Sequence, residues 1–151
     1  MRAIAIDFET ANESRSSPCA IGLAWIEGRE IVRREYRLIR PAVMRFGSIQ
    51  TRIHGIKPEH VKEALEFPAV IDEFISEIDG SLILAHNARF DIDVLTSTLD
   101  EYNVLCPSFT YLCTMNVARR AWPEQSTLSL AALAQRLGIQ WQHHHLSLIH
   151  I

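Results

Sequence analysis

The sequence has little of what marks several classes of protein. Its three cysteines include no Cys-x-x-Cys pair, which argues against a disulfide framework or a zinc cluster and favours reduced thiols in the cytoplasm. No apolar run approaches the roughly 18 residues of a membrane span, so we expect no membrane contact. The apolar residues that follow Met1 end at Asp7, a run too short for a secretory signal.

Positive charge is also scarce. Only two of the 15 cationic side chains are lysines, Lys57 and Lys62, and the formal net charge is −3. Proteins that hold nucleic acid through charge alone are usually strongly basic. A polyanionic substrate would therefore need bound cations or a local patch of arginines, whose guanidinium groups suit phosphate.

The composition that is present is that of one folded domain. The chain has 151 residues, of which 48% are hydrophobic and 22% charged. Strands are predicted at residues 2–9, 19–26, 31–39, 81–85 and 109–112, and helices at 58–66, 68–79, 87–100, 114–122 and 126–137, with a loop over 46–56. This order predicts an α/β fold whose sheet has an antiparallel hairpin on one side and parallel strands on the other.

Two acidic side chains stand at the end of the first predicted strand. Asp7 and Glu9 are two residues apart, so they project from the same face, while Ile4, Ile6 and Phe8 face the other way. Burying two carboxylates side by side without a partner is costly, and a divalent cation with a preference for oxygen ligands removes that cost. The alternative is that both acids simply point into water.

A further acid follows the predicted buried strand at residues 81–85. Asn87 is a candidate cap for the next helix, and Asp91 falls in the first turn of that helix, where the helix dipole alone would favour an acid. In open α/β sheets, sites gather beyond the carboxyl ends of parallel strands, so Asp91 is expected to join Asp7 and Glu9. Asp93 is the rival, but it lies about 200° around the helix from Asp91.

Two histidine segments are less informative when taken alone. The segment Ile53-His54-Gly55-Ile56 reads as a loop that enters a helix. The run His143-His144-His145 near the end of the chain is typical of a solvated tail or a purification tag.

Taken together, these segments resemble a known family. The segments 7–10 (DFET), 53–56 (IHGI), 85–91 (AHNARFD) and 137–144 (LGIQWQHH) occur in the order found in the DEDDh branch of 3′-to-5′ exonucleases, a superfamily that includes the epsilon subunit of DNA polymerase III and RNase T. The resemblance covers residues 2–144. It implies an exonuclease domain at 1–144 with an atypical tail at 145–151, and a ribonuclease H-like, five-stranded mixed sheet with flanking helices.

The resemblance also implies a chemistry. Two Mg²⁺ or Mn²⁺ ions would hold the terminal phosphodiester between them. The resemblance makes Asp7, Glu9 and Asp91 the metal ligands and His144 the general base, completing the catalytic set. It implies further that the terminal nucleotide is bound by four residues, Phe8, Thr10, His54 and Phe90. His86 and Asn87 would orient the residues of the site without contacting the metal ions themselves.

One position departs from the family pattern. The fourth acidic ligand is expected five residues after His144, where this chain has Ile149, and the last carboxylate of the chain is Glu124. Truncation or an altered end of the coding sequence is the simpler explanation of this tail. With three acids left, the second metal ion is expected to bind poorly and turnover to fall by orders of magnitude.

The sequence therefore leaves three functions open. The first is a 3′-to-5′ exonuclease that acts on single-stranded DNA and is impaired in this chain. The second is a processing exoribonuclease, because the same carboxylate site can cut either sugar. The third, suggested by Ile149, is an inactive module that binds the 3′ ends of single-stranded DNA or RNA within a polymerase or repair complex.

Overall fold

The fold is built on one five-stranded mixed sheet. A computed structural model describes residues 2–139. The strands are β1 (Arg2–Thr10), β2 (Pro18–Glu27), β3 (Glu30–Leu38), β4 (Leu82–Ala85) and β5 (Thr110–Cys113), in the spatial order β3-β2-β1-β4-β5. The first three strands pair antiparallel, and β4 and β5 run parallel to β1. The predicted α/β sheet and its ribonuclease H-like arrangement are confirmed.

Seven short helices complete the described chain. They are α1 (Ser48–His54), α2 (Pro58–Val61), α3 (Phe67–Asp72), α4 (Ile75–Ile78), α5 (Arg89–Glu101), α6 (Thr114–Ala121) and α7 (Leu130–Arg136). No helix among residues 2–139 is both long and apolar enough to cross a membrane.

The two faces of β1 carry different residues. Ile4, Ile6 and Phe8 belong to the main core, where α3, α4 and α5 pack large side chains such as Phe67, Phe74 and Leu95 against the sheet. The opposite face carries Ala5, Asp7 and Glu9. Their β2 partners across the ladder are all small residues, namely Ala24, Gly22 and Ala20. The alternation thus places the acids away from the core, on a face that small neighbours leave uncrowded.

The hairpin between β2 and β3 turns at the predicted position. Gly28 has φ +64°, a conformation that side chains with a Cβ rarely adopt, and β2 and β3 pair from Glu27↔Glu30 onward. No strand bound differs from the predicted one by more than one residue.

Helix α1 was not predicted. It lies where the sequence suggested a loop, buries no residue, and exposes Ile49 and Ile53. The helix stops at Gly55, which adopts the left-handed conformation and whose amide donates to the carbonyl of Thr51. A helix with no buried stripe leaves no periodic signal in the sequence.

Other predicted helices are shorter or begin elsewhere. Helix α2 ends at Val61 rather than near 66, and the predicted helix 68–79 is divided into α3 and α4. Helix α7 begins after Ser129, whose hydroxyl accepts from the Ala132 amide at 3.3 Å, rather than at the predicted residue 126, although Ser126 and Thr127 also carry hydroxyls that can cap a helix. The local pattern could not separate these nearby hydroxyls.

Candidate active site

The candidate site opens where two parallel strands separate. β1 and β4 are paired only at Ile4↔Ile83 and Ala5↔Leu84, and beyond that point β1 continues without β4 beside it. The amide of Phe8 then donates to Asp91 Oδ1 at 2.9 Å. The first turn of α5 thereby fills the place that a neighbouring strand would take. This is the crevice at the carboxyl ends of strands in which α/β proteins place their sites.

Burial and crowding of like charge disturb the acids of this crevice. The pKa of Asp91, whose side chain is 2% exposed, rises to about 8, first because of burial and then because of Asp7 and Glu9. The pKa of Glu9 rises to about 7, again through burial first and Asp7 second. The three predicted carboxylates therefore lie close enough to oppose each other's ionisation, a perturbation typical of functional sites.

Asp93 does not belong to this group. Its side chain is 46% exposed and lies 3.8 Å from the guanidinium of Arg89. Helical spacing had excluded that both acids face the same site, and in the structure it is Asp91 that turns toward β1.

The chemistry of these acids suits a hard divalent cation, although the described part of the chain does not present a finished metal site. Carboxylate oxygens are the preferred ligands of Mg²⁺ and Mn²⁺, and a cation would reverse the repulsion that raises the pKa of Glu9 and of Asp91. Among residues 2–139, however, no three acidic, histidine or cysteine side chains are grouped closely enough to hold an ion as they stand.

His54 braces the end of β1. Its Nδ1 accepts from the amide of Ile56 at 2.9 Å, so its Nε2 carries the proton and donates to the carbonyl of Thr10 at 3.0 Å. Burial lowers the pKa of His54, which favours this neutral form. The predicted pocket residues Thr10 and His54 are therefore in direct contact, through the backbone of Thr10 rather than its side chain.

Phe8 and Phe90 lie in different environments. The Phe8 ring is 2% exposed and packs in the core with its centroid 6.5 Å from that of Phe67, so the ring itself faces away from the acids, and a role of Phe8 in seating the nucleotide stays a prediction. Alternation along β1 had already placed Phe8 on the face opposite the acids. Phe90 is half-buried beside Asp91, and the guanidinium carbon of Arg15 lies 4.3 Å from the centre of its ring.

His86 and Asn87 lie in the connection between β4 and α5. The Thr114 hydroxyl and Nδ1 of His86 form a hydrogen bond at 3.0 Å, and the same hydroxyl lies 3.3 Å from the Ala85 carbonyl. Burial lowers the pKa of His86. Asn87 has φ +60° and caps no helix, because the N-cap of α5 is Ala88; its capping role was wrong. Its left-handed conformation turns the chain sharply from β4 into α5.

The predicted general base His144 and the departure at Ile149 lie outside the described residues. Conversely, sequence reasoning missed the contact of Arg15 with Phe90. A single arginine in a polar loop gives no periodic signal, and only the folded chain shows which ring it meets.

Comparison with known proteins identifies the family. The sequence profile of the RNase T family, described as exonuclease, matches residues 4–149. The chain belongs to this exonuclease family. The resemblance to DEDDh exonucleases drawn from the four segments is thereby confirmed. The chain is also similar to the PolC-type DNA polymerase III of Streptococcus thermophilus, at 31% identity over 97 residues, and to that of Streptococcus pneumoniae at 30%.

The matched part of these polymerases is small. The similarity covers 64% of this chain but only 7% of the polymerase from either organism. Among solved structures, exonuclease X in complex with 5′ overhanging duplex DNA superposes with a TM-score of 0.76 at 27% identity, over 95% of this exonuclease chain and 80% of that one. The nuclease domain of 3′hExo bound to rAMP has the same TM-score at 17% identity, over 95% and 82% of the two chains, which supports the shared fold.

Proposed function

We propose that this exonuclease domain, residues 1–144, is a metal-dependent 3′-to-5′ exonuclease that releases nucleotides from the end of single-stranded DNA. One observation carries the proposal. Asp7 and Glu9 on β1 and Asp91 on α5 lie near enough for like charge to raise the pKa of Glu9 and of Asp91 where β1 and β4 separate, and the Phe8 amide fixes the Asp91 carboxylate. A buried Asp91 beside the half-buried Asp7 and Glu9, with like charges that repel one another, suits a cation-dependent site better than a structural one.

The chain's own residues have distinct tasks in this proposal. Asp7, Glu9 and Asp91 would hold Mg²⁺ or Mn²⁺, which lowers the pKa of an attacking water and stabilises charge on the phosphodiester. Phe90 lines the nucleotide pocket, and the Thr10–His54 contact shapes its wall. His86 and Asn87 position the turn that leads into α5.

We assign the general-base role to His144 by the same family pattern. An imidazole with an ordinary pKa can accept a proton from water near neutral pH. Ile149 offers no ligand atom at the position of the fourth acid, so we propose that the second ion is held weakly and turnover is low in this chain. Mn²⁺, which takes the same carboxylate oxygen ligands as Mg²⁺, is the cation for the assay.

DNA is favoured over RNA by the relatives of higher identity. The solved relative at 27% identity was determined with duplex DNA, and the curated relatives are DNA polymerases. By the same similarity, we propose that the domain acts on DNA 3′ ends that arise during DNA synthesis or repair, with a polymerase as a candidate partner.

The test uses single strands labelled at either end, in Mn²⁺. We expect a 3′ label to be released first and a 5′-labelled strand to shorten stepwise, and both reactions to be abolished by Asp7→Ala and Asp91→Asn. Asp93→Asn is the matched control, since this acid lies on the same helix but is turned away from the site. Its activity should equal that of the unmodified chain.

Three other outcomes would contradict parts of the proposal. Loss of the 5′ label before the 3′ label would show that degradation proceeds from the 5′ end. Faster degradation of an RNA strand of the same sequence would make the enzyme an exoribonuclease. Strand binding that persists in EDTA without any cleavage in Mn²⁺ would favour the inactive binding module.

A further inference from the structure

The loop between β1 and β2 is held in one shape by its own hydrogen bonds. The Ala11 amide donates to the Ser17 carbonyl at 2.7 Å and closes the loop at its base. Asn12 Oδ1 accepts from the Ser14 amide at 2.9 Å, and the Ser17 hydroxyl donates to the Ser14 carbonyl at 2.7 Å. A loop ordered in this way presents its tip without a large entropic cost on binding.

The same loop is tied to the segment that leads into α1. Asn12 Nδ2 donates to the Arg45 carbonyl at 2.8 Å, and the Gly47 amide donates to the Ala11 carbonyl at 2.8 Å. Arg45 also forms a two-pronged ion pair with Glu13. Glu13 and Arg45 therefore neutralise each other, which leaves Arg15 as the cation that this loop offers.

Arg15 lies against Phe90, the residue that precedes Asp91. Its guanidinium carbon is 4.3 Å from the ring centre, a distance at which the cation is held by the face of the aromatic ring. Attraction to the face of a ring uses none of the guanidinium's five N–H donors, so they are available for other acceptors.

Arg15 has no acidic partner in the described part of the chain. Ion pairs there engage Arg33, Arg37, Arg40, Arg45 and Arg136 with N···O distances of 2.8–3.3 Å, and none of them involves Arg15. Arg15 is thus an exposed guanidinium held by the ring of Phe90, the residue next to Asp91, rather than by an acid, and it is free to bind an anionic ligand.

We propose that Arg15 binds a backbone phosphate in the 3′-terminal segment of the bound single strand and that Phe90 orients it for this contact. The inference rests on the proposed function and names a substrate-binding residue of the same site. It also explains how a chain with a net charge of −3 can attract a polyanion to a crevice that is itself acidic. A phosphate fits the bidentate edge of a guanidinium, and such contacts act independently of base sequence.

The experiment measures the affinity of a fluorescent single-stranded oligonucleotide in Ca²⁺, across a series of salt concentrations, for the unmodified chain, Arg15→Gln and Arg15→Lys. We expect Arg15→Gln to raise Kd about tenfold at low salt and to reduce the slope of log K against log salt by about 0.7, the value for one phosphate contact on a single strand. Arg15→Lys should keep most of the slope. Arg89→Gln is the matched control, because Arg89 is an exposed arginine one residue from Phe90 with Asp93 beside it.

A merely structural role for Arg15 would give a different result. A Kd that rises with an unchanged salt slope, or an equal loss in Arg89→Gln, would overturn the phosphate contact, and so would an unchanged Kd in Arg15→Gln. In Mn²⁺ the same variant should raise KM while kcat stays close to that of the unmodified chain. If the unmodified chain neither binds nor cleaves the strand, the proposed function fails and this inference fails with it; binding or cleavage that is insensitive to Arg15 refutes the inference alone.

Discussion

Replacing Asp91 by Asn should make the metal-free protein more stable at neutral pH. Asp91 is 2% exposed and its pKa is about 8 in the folded chain against 3.8 as the ordinary value. Because the folded state keeps its proton where the unfolded state has lost it, folding stability falls as pH rises from about 4 to about 8. An asparagine does not titrate, and its Oδ1 can still accept from the Phe8 amide.

The size of the effect follows from the difference in pKa. The unfolded chain loses this proton near pH 3.8, whereas the folded chain keeps it up to about pH 8. Between pH 3.8 and pH 7, about three pH units, the free energy of unfolding falls by about 1.4 kcal/mol for each unit. The upper limit is therefore about 4 kcal/mol. The new amide N–H of asparagine needs an acceptor in a buried place, which costs about 1 kcal/mol or more. We expect a net gain of about 1–3 kcal/mol at pH 7.

Urea unfolding in EDTA at a series of pH values measures this gain. The difference between Asp91→Asn and the unmodified chain should grow from pH 4 to pH 8 and should shrink when Mg²⁺ or Mn²⁺ is added, since only the unmodified chain gains a ligand for the ion. Asp93→Asn serves as control and should show no such trend. A variant that is no more stable than the unmodified chain at pH 8 in EDTA, or a difference that is flat with pH, would refute the electrostatic reasoning.

Three further perturbations test the fold around the site. Phe67→Ala empties a fully buried position and should cost about 3–5 kcal/mol in urea unfolding, whereas Leu65→Ala, at a 56% exposed position, should stay within about 0.5 kcal/mol; equal costs would contradict the assigned core. Burial lowers the pKa of His54, so the unmodified chain should lose stability as pH falls through the ordinary histidine range, and His54→Gln should weaken that dependence; an unaltered pH profile between 7 and 5 would argue against a neutral His54. Ser129→Ala removes the cap that accepts from Ala132 and should cost about 1 kcal/mol of thermal stability, while no change in Tm would place the start of α7 elsewhere.

The parts of the fold that sequence could predict are those with a strong hydrophobic period. Alternation along β1 separated Asp7 and Glu9 from Ile4 and Ile6, and helical spacing excluded that Asp91 and Asp93 face the same site. Both choices depend only on the repeat of a strand or a helix. The succession of strands along the chain and the hairpin between β2 and β3 also followed from local signals.

The parts that sequence could not predict depend on tertiary contacts. Helix α1 buries no residue, so its turns leave no stripe to detect. Asn87 suits a cap and a left-handed turn equally well, and only the path from β4 into α5 decides for the turn. No local pattern predicts that the Phe8 amide donates to Asp91 or that Arg15 lies over the ring of Phe90.

The hydrogen bond between the Phe8 amide and Asp91 links one exchangeable proton to the site. Phe8 belongs to a strand in the middle of the sheet, yet its amide donates to a side chain of α5 instead of to a neighbouring strand. Its exchange with deuterated solvent therefore reports on whether α5 stays docked against β1, separately from the opening of the β1–β2 ladder. In a spectrum of the whole domain, this single amide would indicate how rigidly the acidic crevice is assembled before any cation arrives.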